Sequence, residues 1–95
     1  MIFPDKDIFA LSVQGDSMTG AGIMPDDFIV IKKQEFAQPG DIIVALIEDE
    51  VTVKTLKKIN SRYYLDPAND AYQPIPVTGE VSIIGKVVKV VRSYK

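Results

Sequence analysis

Residues 41–58 read DIIVALIEDEVTVKTLKK, and this stretch decides the fold class. Asp41 to Ile47 is an apolar, β-branched run. After a turn signal at Asp49-Glu50, residues Glu50 to Leu56 alternate: Val51, Val53 and Thr55 point one way, and Glu50, Thr52, Lys54 and Leu56 the other. A period of two belongs to strands, since successive Cβ atoms leave a strand on opposite faces. Outward from this centre the same texture recurs in Ile8 to Val13, Phe28 to Ile31, Arg62 to Leu65 and the valine-rich Val81 to Arg92. Between the runs lie turn signals: Gly20-Ala21-Gly22, Met24-Pro25-Asp26-Asp27, Gln38-Pro39-Gly40, Asp66-Pro67-Ala68-Asn69 and Thr78-Gly79. Short strands about ten residues apart imply a compact all-β domain. Helix has one place, a short turn after Asp16-Ser17, where both residues are good caps and Gly20 and Gly22 end it quickly. With no repeat or linker in view, residues 1–95 are expected to form a single domain.

Composition narrows the chemistry. The 46% hydrophobic and 25% charged content describes an ordinary globular domain. There is no cysteine, which excludes disulfides and thiolate chemistry, and no histidine, which removes Ser-His-Asp and Cys-His arrangements. A hydrolytic site would need a carboxylate or an unusually neutral lysine as its base. No cofactor is called for. Asp26-Asp27 and Glu48-Asp49-Glu50 are read as solvated turn acids and not as metal or acid/base groups. The formal charge of −2 lacks the basic face that phosphate binding requires, so DNA binding by this chain alone is not expected. The longest apolar run, Ile42 to Ile47, falls far short of the roughly 20 residues a membrane helix needs. The start, MIFPDKDIF, does not read as a signal peptide, and the expected location is cytoplasmic.

Two side chains are candidates for chemistry. Of Ser12, Ser17, Ser61, Ser82 and Ser93, only Ser17 has a setting suited to a nucleophile. In Gly15-Asp16-Ser17-Met18 it follows a strand and opens a turn, which exposes the hydroxyl and aims backbone N–H groups at a developing oxyanion. An ordinary strand-to-turn cap accounts for the same four residues. Lys54 lies within a strand between Val53 and Thr55, where burial would lower its pKa by penalising the ammonium form. Thr52 shares its face and is placed to orient the amine. A solvent-facing lysine guarding a sheet edge fits the local pattern equally.

The ordered set of segments resembles the LexA/UmuD family. The resemblance is carried by Gly15-Asp16-Ser17-Met18 with Gly22 to Val30, by Pro39 to Ala45, and by Asp49 to Lys58, which looks like the family's lysine strand. It continues through Leu65-Asp66-Pro67-Ala68-Asn69, Tyr72-Gln73-Pro74-Ile75 and Ile84 to Val88. The resemblance implies coiled antiparallel β-sheets of the LexA/signal-peptidase type and a serine/lysine dyad that cuts its own chain. On matching positions Ser17 is the nucleophile and Lys54 the base, with the Ser17 N–H in the oxyanion hole and Asp16, Met18 and Thr52 in support. It further implies a homodimer, stimulation by a RecA filament on single-stranded DNA after DNA damage, and DNA contact only through a separate amino-terminal domain.

Two departures from the family stand out. Asp26 occupies a place where the family often has glycine, so Pro25-Asp26-Asp27 must build its turn differently. The family's scissile Ala-Gly or Cys-Gly pair lies upstream of this chain's start, and Ala21-Gly22 is too close to Ser17 to loop back. Self-cleavage in cis is therefore not expected. In the family a cleavage loop swings into the site, and burial of Lys54 is expected to depend on it. UmuD-type polymerase accessory factors, phage repressors and a dimerisation module with an incidental Ser17 are the rival readings. A signal peptidase shares the dyad, but the membrane anchor and the Gly-Asp-rich box expected of one are not found. Tyr63, Tyr64 and Tyr72 are read as scattered packing aromatics.

Overall fold

The computed structural model describes residues 7–92. Seven strands appear: β1 (Ile8–Ser12), β2 (Phe28–Lys33), β3 (Ile42–Ile47), β4 (Glu50–Ile59), β5 (Arg62–Asp66), β6 (Ile75–Pro76) and β7 (Val81–Val91). The six runs expected from the sequence are all strands. The two-residue β6 is additional, too short for alternation to show. Among the described residues a single 3₁₀ turn, Thr19–Ala21, is the helical element, as the fold class anticipated. Ser93 and the first six residues, part of the leader reading, lie outside the described residues.

The strands form one antiparallel sheet in the order β1-β2-β7-β3-β4-β5-β6. Strand β7 joins its two halves. Residues 81–86 of β7 pair with β3, and 85–91 pair with β2. The register slips between Val44 and Ala45 on β3 and between Val30 and Ile31 on β2, which leaves Ile84 and Val88 as the extra residues on β7. Each bulge bends and twists the strand locally, so one long strand can serve two neighbours.

Alternation puts apolar side chains on both faces of this sheet. Val44 joins Val13, Met18, Ile23, Ile29 and Ile31 in one cluster, while its neighbours Ile43 and Ala45 join Leu56 and Leu65 in the other. Strand β4 alternates as the sequence predicts, but its buried side is the more polar one. Lys54 is 8% exposed and Leu56 3%, whereas Val51 is 55% exposed. Tertiary packing decides this: residues 50–54 pair with β3 and not with β5, so Lys54 stands on a stretch of β4 open on one side and is buried all the same.

Two hairpin turns carry both central residues at positive φ, Glu48-Asp49 joining β3 to β4 and Asn60-Ser61 joining β4 to β5. Such turns match the right-handed twist of the strands and favour Asn-Gly. In the second turn Asn60 tolerates this region, whereas Ser61 at φ 68° stands where glycine is preferred. Ser61→Gly is expected to stabilise the fold by about 1 kcal/mol, raising the thermal midpoint by roughly 4–8 °C, as read by calorimetry.

Candidate active site

The serine turn leaves β1 at Val13, whose N–H and C=O bond to Asp27 O and Asp26 N at 2.8 and 3.0 Å. Gly15 then adopts φ 78°, a left-handed conformation with open space around its missing Cβ. Glycine is therefore required there by backbone conformation and not by crowding. Met18 anchors the far side of the turn, 2% exposed among the core side chains. Ser17 is held between them, half-buried. The expected Asp-Ser cap does not form. Met18 is the N-cap of the 3₁₀ turn and makes no side-chain cap bond, and Asp16 contributes its carbonyl to the Thr19 N–H at 3.2 Å.

Lys54 reaches the serine from across the sheet. Its Nζ lies 3.0 Å from Ser17 Oγ, 2.6 Å from Thr52 Oγ1 and 3.1 Å from the carbonyl oxygen of Val53. A neutral amine has two N–H donors and one lone pair. The carbonyl can only accept, and the two hydroxyls can each give or take a proton, so three neighbours match three bonding positions. Burial holds the Lys54 pKa below its ordinary 10.5, because an ammonium loses more hydration than an amine. The chain itself supplies that burial, so the expected dependence on a cleavage loop is corrected. Lys57 pairs with Asp66 at 2.7 Å and Lys86 with Asp41 at 3.3 Å, both more exposed than Lys54.

Two hollows open at the pair. One of 330 Å³ is walled by Leu11, Val13, Met18, Ile29, Val51 and Val53 and reaches Ser17 and Lys54. The other, of 290 Å³, reaches the same two residues from the side of Gln14, Tyr72, Gln73 and Ile75. Among the described residues, no acceptor bonds the Ser17 backbone N–H, which leaves it available to an oxyanion.

Residues 1–88 match the family model described as Peptidase S24-like. The chain belongs to that family. Three curated relatives are LexA repressors. That of Carboxydothermus hydrogenoformans is 50% identical over 95 residues, covering 98% of this chain and 47% of the relative. That of Acetivibrio thermocellus is 54% identical over 85 residues, covering 90% and 40%, and that of Caldicellulosiruptor saccharolyticus 47% over 87, covering 92% and 43%. This S24-like chain thus spans less than half the length of these relatives, and its resemblance to the carboxy-terminal domain of LexA-type repressors holds.

Three features of the S24-like site differ from the sequence reading. Asp26 adopts φ 71° where the family often has glycine, so an aspartate carries the left-handed position of the turn. Asp27 is not a solvated acid. It is 2% exposed, accepts the Met24 N–H at 2.8 Å, and is clasped by Arg92 through Nε and an Nη, both at 2.8 Å. The pairing partner lies 65 residues away and was invisible to local pattern. Tyr72 is not mere packing either: its hydroxyl donates to Asp16 Oδ1 at 2.6 Å, which pushes the phenol pKa above its ordinary 10.0. Tyr64 does lie half-buried on β5, and Tyr63 is exposed beneath the Lys58 amine.

The bond to Arg92 holds the Asp27 carboxyl down at about 2, against an ordinary 3.8. A depressed acid stabilises the fold fully above its unfolded value and loses that contribution as pH falls through its folded value. Stability should therefore decline as pH falls from about 3.8 to about 2. Asp27→Asn should flatten that stretch, and Arg92→Ala should raise the acid-unfolding midpoint, both read by circular dichroism against pH.

Proposed function

We propose that this chain is the catalytic and dimerisation domain, spanning residues 1–95, of a LexA-like repressor, and that Ser17 and Lys54 form its peptidase dyad. The contact of 3.0 Å between Ser17 Oγ and a buried Lys54 amine carries the reading. Its support is chemical. The chain has no histidine, the amine is the buried cation among the described residues, and burial favours the form that can accept a proton.

In this reading Ser17 Oγ attacks a scissile carbonyl as its proton passes to Nζ. The new C–O bond creates an oxyanion that the Ser17 N–H receives. Collapse breaks the C–N bond, and Lys54 returns its proton to the departing amine. Water, deprotonated by the same amine, then hydrolyses the acyl-serine. Thr52 holds Nζ throughout, Asp16 and Met18 hold the turn, and no metal or cofactor takes part. The substrate is an extended peptide segment. Residues 50–54 of β4 run past β5, whose pairing starts at Thr55↔Asp66, and the apolar hollow adjoins them. A strand laid there would gain backbone hydrogen bonds and one apolar pocket.

The relatives' names give a repressor, and the family resemblance extends the proposal to the whole protein: a cytoplasmic repressor of an SOS-type response, touching DNA through a separate domain and cleaved upon stimulation by a RecA filament on single-stranded DNA. The UmuD-type accessory factor is the second reading, because the Gly15-Asp16-Ser17-Met18 tetrapeptide fits that type as well as it fits LexA. The dimer is proposed on β7. Residues 87–91 pair with β2 on one side only, and Val88 and Val90 are 50% and 39% exposed. A two-fold pairing of these edges would cover both.

A trans-cleavage assay tests the dyad. A LexA-type substrate lacking its own serine should be cut at mildly alkaline pH, with the rate rising until the Lys54 amine is fully neutral. Ser17→Ala and Lys54→Ala should each lose at least ~10³-fold; cutting that survives either change refutes the dyad. For the dimer, sedimentation should show Val88→Glu/Val90→Glu weakening self-association at least ~10-fold while the fold persists, because charges on an exposed edge oppose pairing.

A further inference from the structure

The connection from β5 to β6 takes no part in the dyad, yet it grips the serine turn at four points. Tyr72 Oη donates to Asp16 Oδ1 at 2.6 Å. Asn69 Nδ2 donates to the Asp16 carbonyl at 3.0 Å and to Thr19 Oγ1 at 3.4 Å. The Gly20 N–H donates to the Ala68 carbonyl at 2.6 Å, and the approach is so close that a Cβ on residue 20 would collide with that oxygen. The connection is itself ordered for this. Asn69 Oδ1 accepts the Ala71 N–H at 2.9 Å, and the Asn69 carbonyl accepts the Tyr72 N–H at 3.1 Å.

These contacts matter because of what the turn lacks. A single 3₁₀ turn of three residues with no side-chain cap has little stability of its own. Gly15, on one side of Ser17, has open space around it, and among the described residues the Ser17 hydroxyl hydrogen-bonds to the Lys54 amine alone. Met18 anchors one side of Ser17 in the core, and Asp16 is the residue through which the β5–β6 connection reaches the other side. It is held at both ends, its carbonyl by Asn69 and its carboxylate by Tyr72.

We propose that Asn69 and Tyr72 are positioning residues for the Ser17 nucleophile, acting through the two ends of Asp16. The proposal rests on the dyad reading, and neither residue touches the reacting atoms. Tyr72 also lines the smaller hollow beside Ser17 and Lys54, so its bond to Asp16 fixes one wall of the approach to the dyad.

The test is the rate at which the full chain is phosphonylated at Ser17 by a small fluorophosphonate, with thermal unfolding measured in parallel. Tyr72→Phe should lower the rate roughly tenfold with little change in midpoint, the scale expected for one hydrogen bond to a charged group. Asp16→Ala should lose a similar factor, the double variant no more than the worse single one, and Asp16→Asn should recover most of the loss through its amide oxygen. Asn69→Asp keeps the acceptor for the Ala71 N–H and loses the donor, and should also fall about tenfold. This variant decides the question should Tyr72→Phe fail to fold. A Lys54-dependent parent rate with Tyr72→Phe and Asn69→Asp within twofold of it overturns the positioning role alone. So does a double variant that loses the product of the two single effects. A parent that does not react at Ser17, or reacts equally as Lys54→Ala, overturns the dyad and this proposal with it.

Discussion

Everything in this molecule turns on a lysine amine buried without a counter-charge. Moving an ammonium out of water costs several kcal/mol even after relaxation, and only an opposite charge or proton loss relieves it. The neighbours of Lys54 Nζ are a serine hydroxyl, a threonine hydroxyl and a carbonyl oxygen, all uncharged. Such a site can satisfy an amine's hydrogen bonds without compensating a full charge. It therefore biases the group toward the base form, which is what a serine needs from a neighbour when no imidazole exists in the chain. Packing makes the burial possible: β3 pairs with β4 along one side of this stretch, and the turn that carries Ser17 comes to within 3.0 Å of the amine.

The serine half is organised in the opposite manner. The amine sits on a ten-residue strand in the middle of the ladder, but Ser17 sits on a turn with almost no internal structure. Its order comes from its surroundings. Met18 and Ile23 pin the turn to the core beneath β2, and Val13 is tied to the Asp26-Asp27 corner. That corner is in turn closed by Arg92 at the end of β7, which also donates to the Gly22 carbonyl at 3.1 Å. The connection through Asn69 and Tyr72 holds the remaining side. Three distant parts of the chain thus converge on one short turn, and the cost of ordering it is spread among them.

Most of the architecture was legible because its signals are local. Valine and isoleucine runs, alternation in residues 50–56 and Gly, Pro and Asp punctuation are read over a few residues at a time, and the six strands appear where those signals lie. The misses have a common cause. β6 is two residues pairing with Tyr64 and Leu65, and its existence depends on a partner that no window around Ile75 contains. Asp27 has the local character of a turn acid, and only the return of β7 brings Arg92 onto it. Tyr72 likewise acquires its role from Asp16, 56 residues away.

The sequence by itself determined the class of chemistry and the class of fold. The absence of histidine and cysteine leaves lysine or a carboxylate as base, and period-two runs dictate strands whatever surrounds them. It also placed Ser17 after a strand and Lys54 within one. It did not determine that the polar side of β4 faces inward, since alternation states that two faces differ and not which is covered. Nor did it bring Oγ to 3.0 Å from Nζ. Those two outcomes depend on strand order and on contacts between residues 37 apart. Burial and proximity are properties of packing, and packing is decided only when the whole sheet has closed around them.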